Sequence, residues 1–561
     1  MRHIRTQAII ALIGLAIVGS LLYVQSQGLV TSLAPACGGT FVEAVVGMPE
    51  RFNPLLDSGN PAERDVNTLV FSGLMKFDVN GQPIPDLAQS YAVSADGLTY
   101  TFVLRDDARW HDARPVTAQD VLFTITLLQS PAFPGRPDLG ALWQKVTVTS
   151  PSRNTIRFVL PEPFAPFLDY TTIGLVPDHI LRDRPAAGLA DDPFNREPIG
   201  AGPMRLVPLE AAGGPITSVT LESAQACTGD KNYLRQIQFR YYPDAATAHA
   251  AYTAGEVVAL SSFTPQTLTE TLADPAANVF TSRLPEYTLI FLNQKTETVS
   301  FLQEKKVRQA LLAGMNRQWV VDNLLHGQAV VATGPILPGT WAYNNNLIPV
   351  EYDPQTAADL LNNAGWALPP EAVPGAPDYV RTKNGKTLKF SLVVPADNLH
   401  LAIAEVVVTN WAALGVQVTV QPLPVADVKI ALANRTYEAA MVDLNFANSP
   451  DPDPYPFWHQ TQIESGQNYS GYNSRDMSEI LEQARTTPSY HDRAKFYRAF
   501  QAKFADQTPA LLLYYPVYTY AVNDKVNGVQ FGPLVDPSDR FNSLANWYML
   551  TRRVIESAGQ P

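Results

Sequence analysis

The segment Asn445-Phe-Ala-Asn-Ser-Pro-Asp-Pro-Asp-Pro-Tyr455 concentrates side chains suited to gripping a small molecule: the carboxylates of Asp451 and Asp453 and the phenol of Tyr455. Prolines at 450, 452, 454 and 456 stiffen the backbone and lower the entropy cost of presenting those groups to a ligand. Two carboxylates also suggest glycoside hydrolysis, but residues two apart on a stiff loop are poorly placed to flank a scissile bond. A calcium loop would need a further oxygen ligand where Tyr455 stands. Two readings remain open on the residues alone: a loop lining a ligand cleft, and a structural turn whose aspartates cap backbone amides.

A second set of candidates is aromatic. Trp341, Tyr343, Tyr455, Trp458, Tyr469 and Tyr472 fall in loop-like contexts, where rings either stack on a solute at low rotamer cost or simply pack. Trp341 and Trp458 each follow a proline-bearing loop and are the better ligand-binding candidates. No Gly-x-Ser-x-Gly elbow, His-Glu-x-x-His helix, Walker loop or Gly-x-Gly-x-x-Gly fingerprint occurs, and the eight histidines are scattered. No catalytic residue, metal site or cofactor is expected, and the protein is not expected to be an enzyme.

These candidates need a large scaffold. The chain has 561 residues, of which 46% are hydrophobic, more than one core usually organises. With 53 acidic against 41 basic residues the net charge is −12, which disfavours nucleic acid as a partner. Arg2 and Arg5 precede an uncharged apolar run from Ala8 to Val24, so residues 1–30 are expected to meet the membrane, with the chain from about 38 onward outside the cytoplasm. An uncleaved anchor, cleavage near Ala36 and acylation at Cys37 are the alternatives for that segment. Outside the cytoplasm the two cysteines, Cys37 and Cys227, can form a disulfide; two unrelated thiols are the other possibility.

Local patterns place the candidates on elements. Thr40 to Val46 and Thr99 to Leu104 read as strands, Asn80-Gly81 and Asp96-Gly97 as hairpin turns, and Thr117-Ala-Gln-Asp120 as a capping box opening an apolar helix. Asp353-Pro354 opens a helix that Gly365 closes. Strand, helix, strand, helix, strand then follow over 387–394, 399–414, 416–421, 426–433 and 439–446, an order that demands parallel pairing with right-handed crossovers. The loop after 446 thus lies beyond the carboxyl end of a strand, where ligands of α/β sheets bind. The tyrosine-rich run over 510–522 reads as a strand returning to the first half of the chain, so two strands would cross and make a hinge. The expected division is a first lobe of 38–265 plus 516–555, with an extra subdomain over about 82–195, and a second lobe of 266–515.

The stretch Trp110-His-Asp-Ala-Arg-Pro-Val-Thr-Ala-Gln-Asp-Val121 resembles the signature of oligopeptide-type (family 5) extracytoplasmic solute-binding proteins of ABC transporters, with Ala113 where glycine is usual. Similarity continues through Ile199-Gly-Ala-Gly-Pro-Met-Arg-Leu206, Val307-Arg-Gln-Ala-Leu-Leu-Ala-Gly-Met-Asn-Arg317, Tyr352-Asp-Pro-Gln-Thr-Ala-Ala-Asp-Leu-Leu361 and Ser449-Pro-Asp-Pro-Asp-Pro-Tyr455, in the family's order. The resemblance implies an α/β fold of the two-lobed periplasmic-binding-protein type II, a Venus-flytrap clamp with mixed sheets. It also implies capture of a small solute, most often a peptide, and delivery to ABC permease subunits with their ATPases; a monomer is expected. Rival readings are a ligand-sensing or chaperone-like protein without a permease, and an extracytoplasmic hydrolase. In several peptide-binding relatives an acid just upstream of Asp-Pro-Asp pairs with the α-amino group of the peptide. The comparable position here is the uncharged Asn448, and His111 has a structural role in the resemblance.

Overall fold

The computed structural model describes residues 11–21, 23, 31–56, 59–78, 81–209, 214–227, 231–376, 378–446 and 451–555. A twelve-stranded mixed sheet runs through the molecule. Its second-lobe end is built as the alternation of patterns predicts: Lys389–Pro395, Asn398–Ala413, Gln417–Leu423, Val425–Asn434 and Ala439–Asn445 alternate strand and helix. Lys389–Pro395 lies in the middle and pairs in parallel with both Gln417–Leu423 and Ala439–Asn445. The chain therefore changes direction between Lys389–Pro395 and Ala439–Asn445, and the carboxyl ends of these strands form the topological switch point.

Burial follows from this layering. Along Ala439–Asn445, Ala439 and Met441 enter one apolar cluster while Ala440 and Val442 enter another. Helices Lys305–Ala313, Pro354–Asn363 and Asn398–Ala413 cover the first face; Arg475–Thr486 and Tyr490–Gln507 cover the second. A strand covered on both faces must be apolar throughout, which is why 439–442 reads Ala-Ala-Met-Val without alternation.

The strand Ala510–Asn523 joins the two ends of the sheet. Its first part pairs with Glu286–Leu292 and Ala329–Val331, and its second with Ala277–Arg283 and Ala259–Leu260. Leu284 N donates to Pro516 O at 2.9 Å, so the chain passes between the two ends at Leu284–Pro285 and, antiparallel to it, at Pro516–Val517. The segment 266–283, expected with the second lobe, pairs instead through Ala277–Arg283 with the half of the long strand that also holds Ala259–Leu260. Texture along the chain could not reveal this, because pairing across more than 200 residues leaves no local mark.

In the first lobe, Thr40–Val46 pairs in parallel with Gln236–Tyr242, and a four-stranded antiparallel sheet over 88–159 forms a separate layer packed against helix Ala118–Gln129. The capping box is present: Asp120 Oδ2 accepts from Thr117 N at 2.8 Å. Asp353 caps helix Pro354–Asn363 by accepting from Gln355 N and Thr356 N. The signature segment folds as a tight turn, with Trp110 N donating to Arg114 O and Ala113 at φ 69°, the left-handed region that favours glycine. His111 Nδ1 accepts from Gly200 N and its Nε2 lies 3.0 Å from Gly202 O, so the ring is neutral and ties the signature to the 199–206 segment. Glycine is required at 200, where a Cβ would lie 1.8 Å from Val70 O.

Cys37 and Cys227 are joined in a disulfide with Cα atoms 6.1 Å apart. Thr31–Ala36 pairs antiparallel with Leu550–Ile555. The described part of the N-terminal apolar run is helical at 11–21, and among the described residues no helix is long and apolar enough to cross a membrane.

Candidate functional site

The loop after Ala439–Asn445 emerges at the switch point and beside the crossing segments, because Asn445 pairs with Glu286 at the start of the neighbouring strand. Asn448 lies outside the described residues. Asp451 is buried and ion-paired with Arg493 of helix Tyr490–Gln507, and Tyr497 Oη donates to its other oxygen at 3.3 Å. Asp453 accepts from Arg485 Nε at 2.6 Å and from Tyr455 N at 3.0 Å. Burial pushes the Asp453 carboxyl up, and the guanidinium of Arg485 opposes that shift. Both carboxylates of the loop thus already have arginine partners. The arginines come from helices Arg475–Thr486 and Tyr490–Gln507, too far along the chain for local pattern to pair them with the loop.

The aromatic candidates divide. Tyr455 stacks on His459 at 4.0 Å between centroids, with the Arg485 guanidinium 3.7 Å from its ring centre. Trp458 is 1% exposed and packs edge-on against Phe504 at 4.7 Å. It is a core residue of the second lobe, carried inward by the short helix Tyr455–Trp458. Tyr343 bonds Thr333, while Tyr469 and Tyr472 lie under Arg435 and Arg308. Trp341 lines a cavity between the lobes, and its ring meets Tyr490 edge-on at 4.8 Å.

That cavity, about 40 Å³, brings Trp341 and Asp453 together with Pro452 and Pro454 of the loop. Tyr287 and Phe446 line it from the second lobe, Pro285 from the crossing, and Gly81, Pro533 and Val535 from the first lobe. A larger cavity of about 690 Å³ is walled by first-lobe residues and shares Val535 with the smaller one. The sequence marked Gly81 only as a hairpin turn and 199–206 only as part of the family resemblance, and it gave no sign of the walls at Pro533 and Val535, which lie in a segment without a recognisable motif.

A further contact closes one flank. Asp169, buried in helix Phe167–Tyr170 and lining the larger cavity, accepts from Tyr490 Oη of the second lobe. Ala165 N donates to Arg485 O at 2.8 Å beside it. Burial holds the Asp169 carboxyl well above its usual range; nearby Asp451 adds to the shift and Arg493 opposes it.

The arrangement is a pair of layered α/β lobes joined by two crossing segments, with the small cavity at their junction. Residues 82–465 match the family described as bacterial extracellular solute-binding proteins, family 5. The chain belongs to this family. It is similar to the oligopeptide-binding protein AppA of Bacillus subtilis, 28% identical over 513 residues that cover 90% of this chain and 91% of AppA. It is 25% identical to the dipeptide-binding protein of Escherichia coli over 532 residues, covering 88% and 92% of the two chains. The structure of AppA in complex with a nonapeptide superposes with a TM-score of 0.66 at 26% identity, covering 92% of this chain and 100% of that one. This solute-binding protein therefore has the two-lobed type II fold, and as in its family it works outside the cytoplasm.

Proposed function

We propose that this protein captures a peptide between its lobes, unchanged by any chemical step, and hands it to an ABC permease driven by separate ATPase subunits. The observation that carries this reading is the small cavity walled by both lobes beside the crossing segments, because a solute filling it touches both halves at once. Such a solute stabilises the closed form by its differential affinity for the closed and open arrangements. Its similarity to peptide-binding relatives over nearly the whole chain supports a peptide as the cargo.

In this reading the hinge is Leu284–Pro285 with Pro516–Val517; the first lobe comprises 38–283 and 517–555, and the second 286–515. Trp341 contacts the solute directly, with Asp453 and the Asp451 ion pair shaping the wall behind it. The monomer is the working unit, tethered to the membrane by the N-terminal apolar segment. The test is thermal unfolding of the purified protein against libraries of peptides, oligosaccharides and metal chelates. A midpoint that rises with peptide concentration supports the reading. A rise with another class alone, or with none in ligand-free folded protein, overturns it.

A further inference from the structure

We propose that the cargo is anchored by a branched aliphatic side chain, Val, Leu or Ile, seated in the small cavity between the lobes. This rests on the peptide-binding reading above and adds its chemical class.

Three properties of the walls point there. Five are prolines, at 285, 335, 452, 454 and 533, which carry no N–H to donate to a ligand. Tyr287, Trp341, Phe446, Phe457, Ile336 and Leu337 supply rings and aliphatic surface. Among the described residues that line it the one carboxylate, Asp453, is held by Arg485, and Thr340 Oγ1 donates to Leu337 O at 2.9 Å. A lysine or aspartate side chain entering this space would lose its water and find no free counter-charge.

Size narrows the class further. A volume of about 40 Å³ has room for roughly three waters, comparable in bulk to a Val or Leu side chain and too small for an indole. Each methylene moved from water into such a pocket strengthens binding about four-fold, so Leu in place of Ala is expected to tighten it about fifty-fold. Since Pro533, Leu534 and Val535 come from the first lobe and the rings from the second, filling the cavity also draws the lobes together.

The experiment is calorimetric titration of the full chain with tripeptides X-Ala-Ala, Ala-X-Ala and Ala-Ala-X, where X is Ala, Leu, Lys, Asp or Trp. Two variants accompany it: Val535→Phe, which fills the cavity from the first lobe, and Phe457→Ala, which enlarges it. At one position Leu is expected to bind about fifty-fold tighter than Ala, with Lys and Asp weaker than Ala. Val535→Phe removes that gap between Leu and Ala, and Phe457→Ala moves the preference from Leu to Trp. If tripeptides bind without any preference for Leu, or the preference is unchanged in both variants, this inference is overturned and the peptide reading stands. If no tripeptide binds while another solute class does, both are overturned.

Discussion

Tyr490 reaches from the second lobe to Asp169 of the first, its hydroxyl 3.1 and 3.2 Å from the two carboxylate oxygens. Tyr490→Phe keeps the ring that packs against Trp341 and removes only the donor. A hydrogen bond to a charged or strongly polar acceptor is worth about 1.5–3 kcal/mol, so the variant is expected to populate the open form more. Small-angle scattering of the ligand-free protein should show a larger radius of gyration than wild type; an unchanged radius would show that the contact does not hold the lobes.

The signature turn carries Ala113 at φ 69°. A left-handed conformation costs an L-residue about 1–2 kcal/mol, and glycine gives part of that back as unfolded-state entropy. Ala113→Gly is therefore expected to stabilise the protein by about 0.5–1 kcal/mol, read as a higher chemical-denaturation midpoint with an unchanged slope.

Arg540 lies between the buried carboxylates of Glu43 and Asp65, with Nη2 at 2.8 and 2.5 Å, and Tyr520 of the long crossing strand donates to Glu43 at 2.9 Å. Burial pushes Glu43 up to about 7, Arg540 opposing and Asp65 adding to the shift. A carboxyl raised in the folded state contributes stability that is complete below its unfolded value of 4.5 and is lost as pH rises through about 7. Glu43→Gln should flatten the fall in melting midpoint across that window while the wild type keeps it. Arg540→Met, by leaving two buried carboxylates without their cation, should cost about 3–5 kcal/mol.

The Cys37–Cys227 bond closes a loop spanning 190 residues. Constraining so long a loop in the unfolded chain is worth about 2–5 kcal/mol. Reduction, or Cys227→Ser, is expected to lower the melting midpoint, and the unreduced protein unfolded in denaturant should show no reactive thiol.

Local physics was legible along the chain. The Thr117 to Asp120 capping box, the Asp353 cap with Pro354, and the strand-helix alternation from 389 to 445 each depend on residues a few positions apart, and each stands in the structure where the pattern put it. The two cysteines could be named as possible partners because only two exist. What the acidic loop does was not legible. Asp451 and Asp453 look like free ligand groups until Arg493 and Arg485 are brought to them from helices that begin 20 residues or more beyond the loop.

By itself, the sequence determined the elements, their α/β class, the family and the loop at the carboxyl end of a parallel strand, since periodicity, caps and spacing act over short distances. Only the tertiary structure decided which half of Ala510–Asn523 serves which lobe, that Ala277–Arg283 pairs on the first-lobe side, and that Trp458 is core while Trp341 meets a cavity. Those outcomes depend on pairing and packing between residues hundreds of positions apart. The free energy of such contacts is settled by the whole set of burials and ion pairs at once, and no short window of sequence carries it.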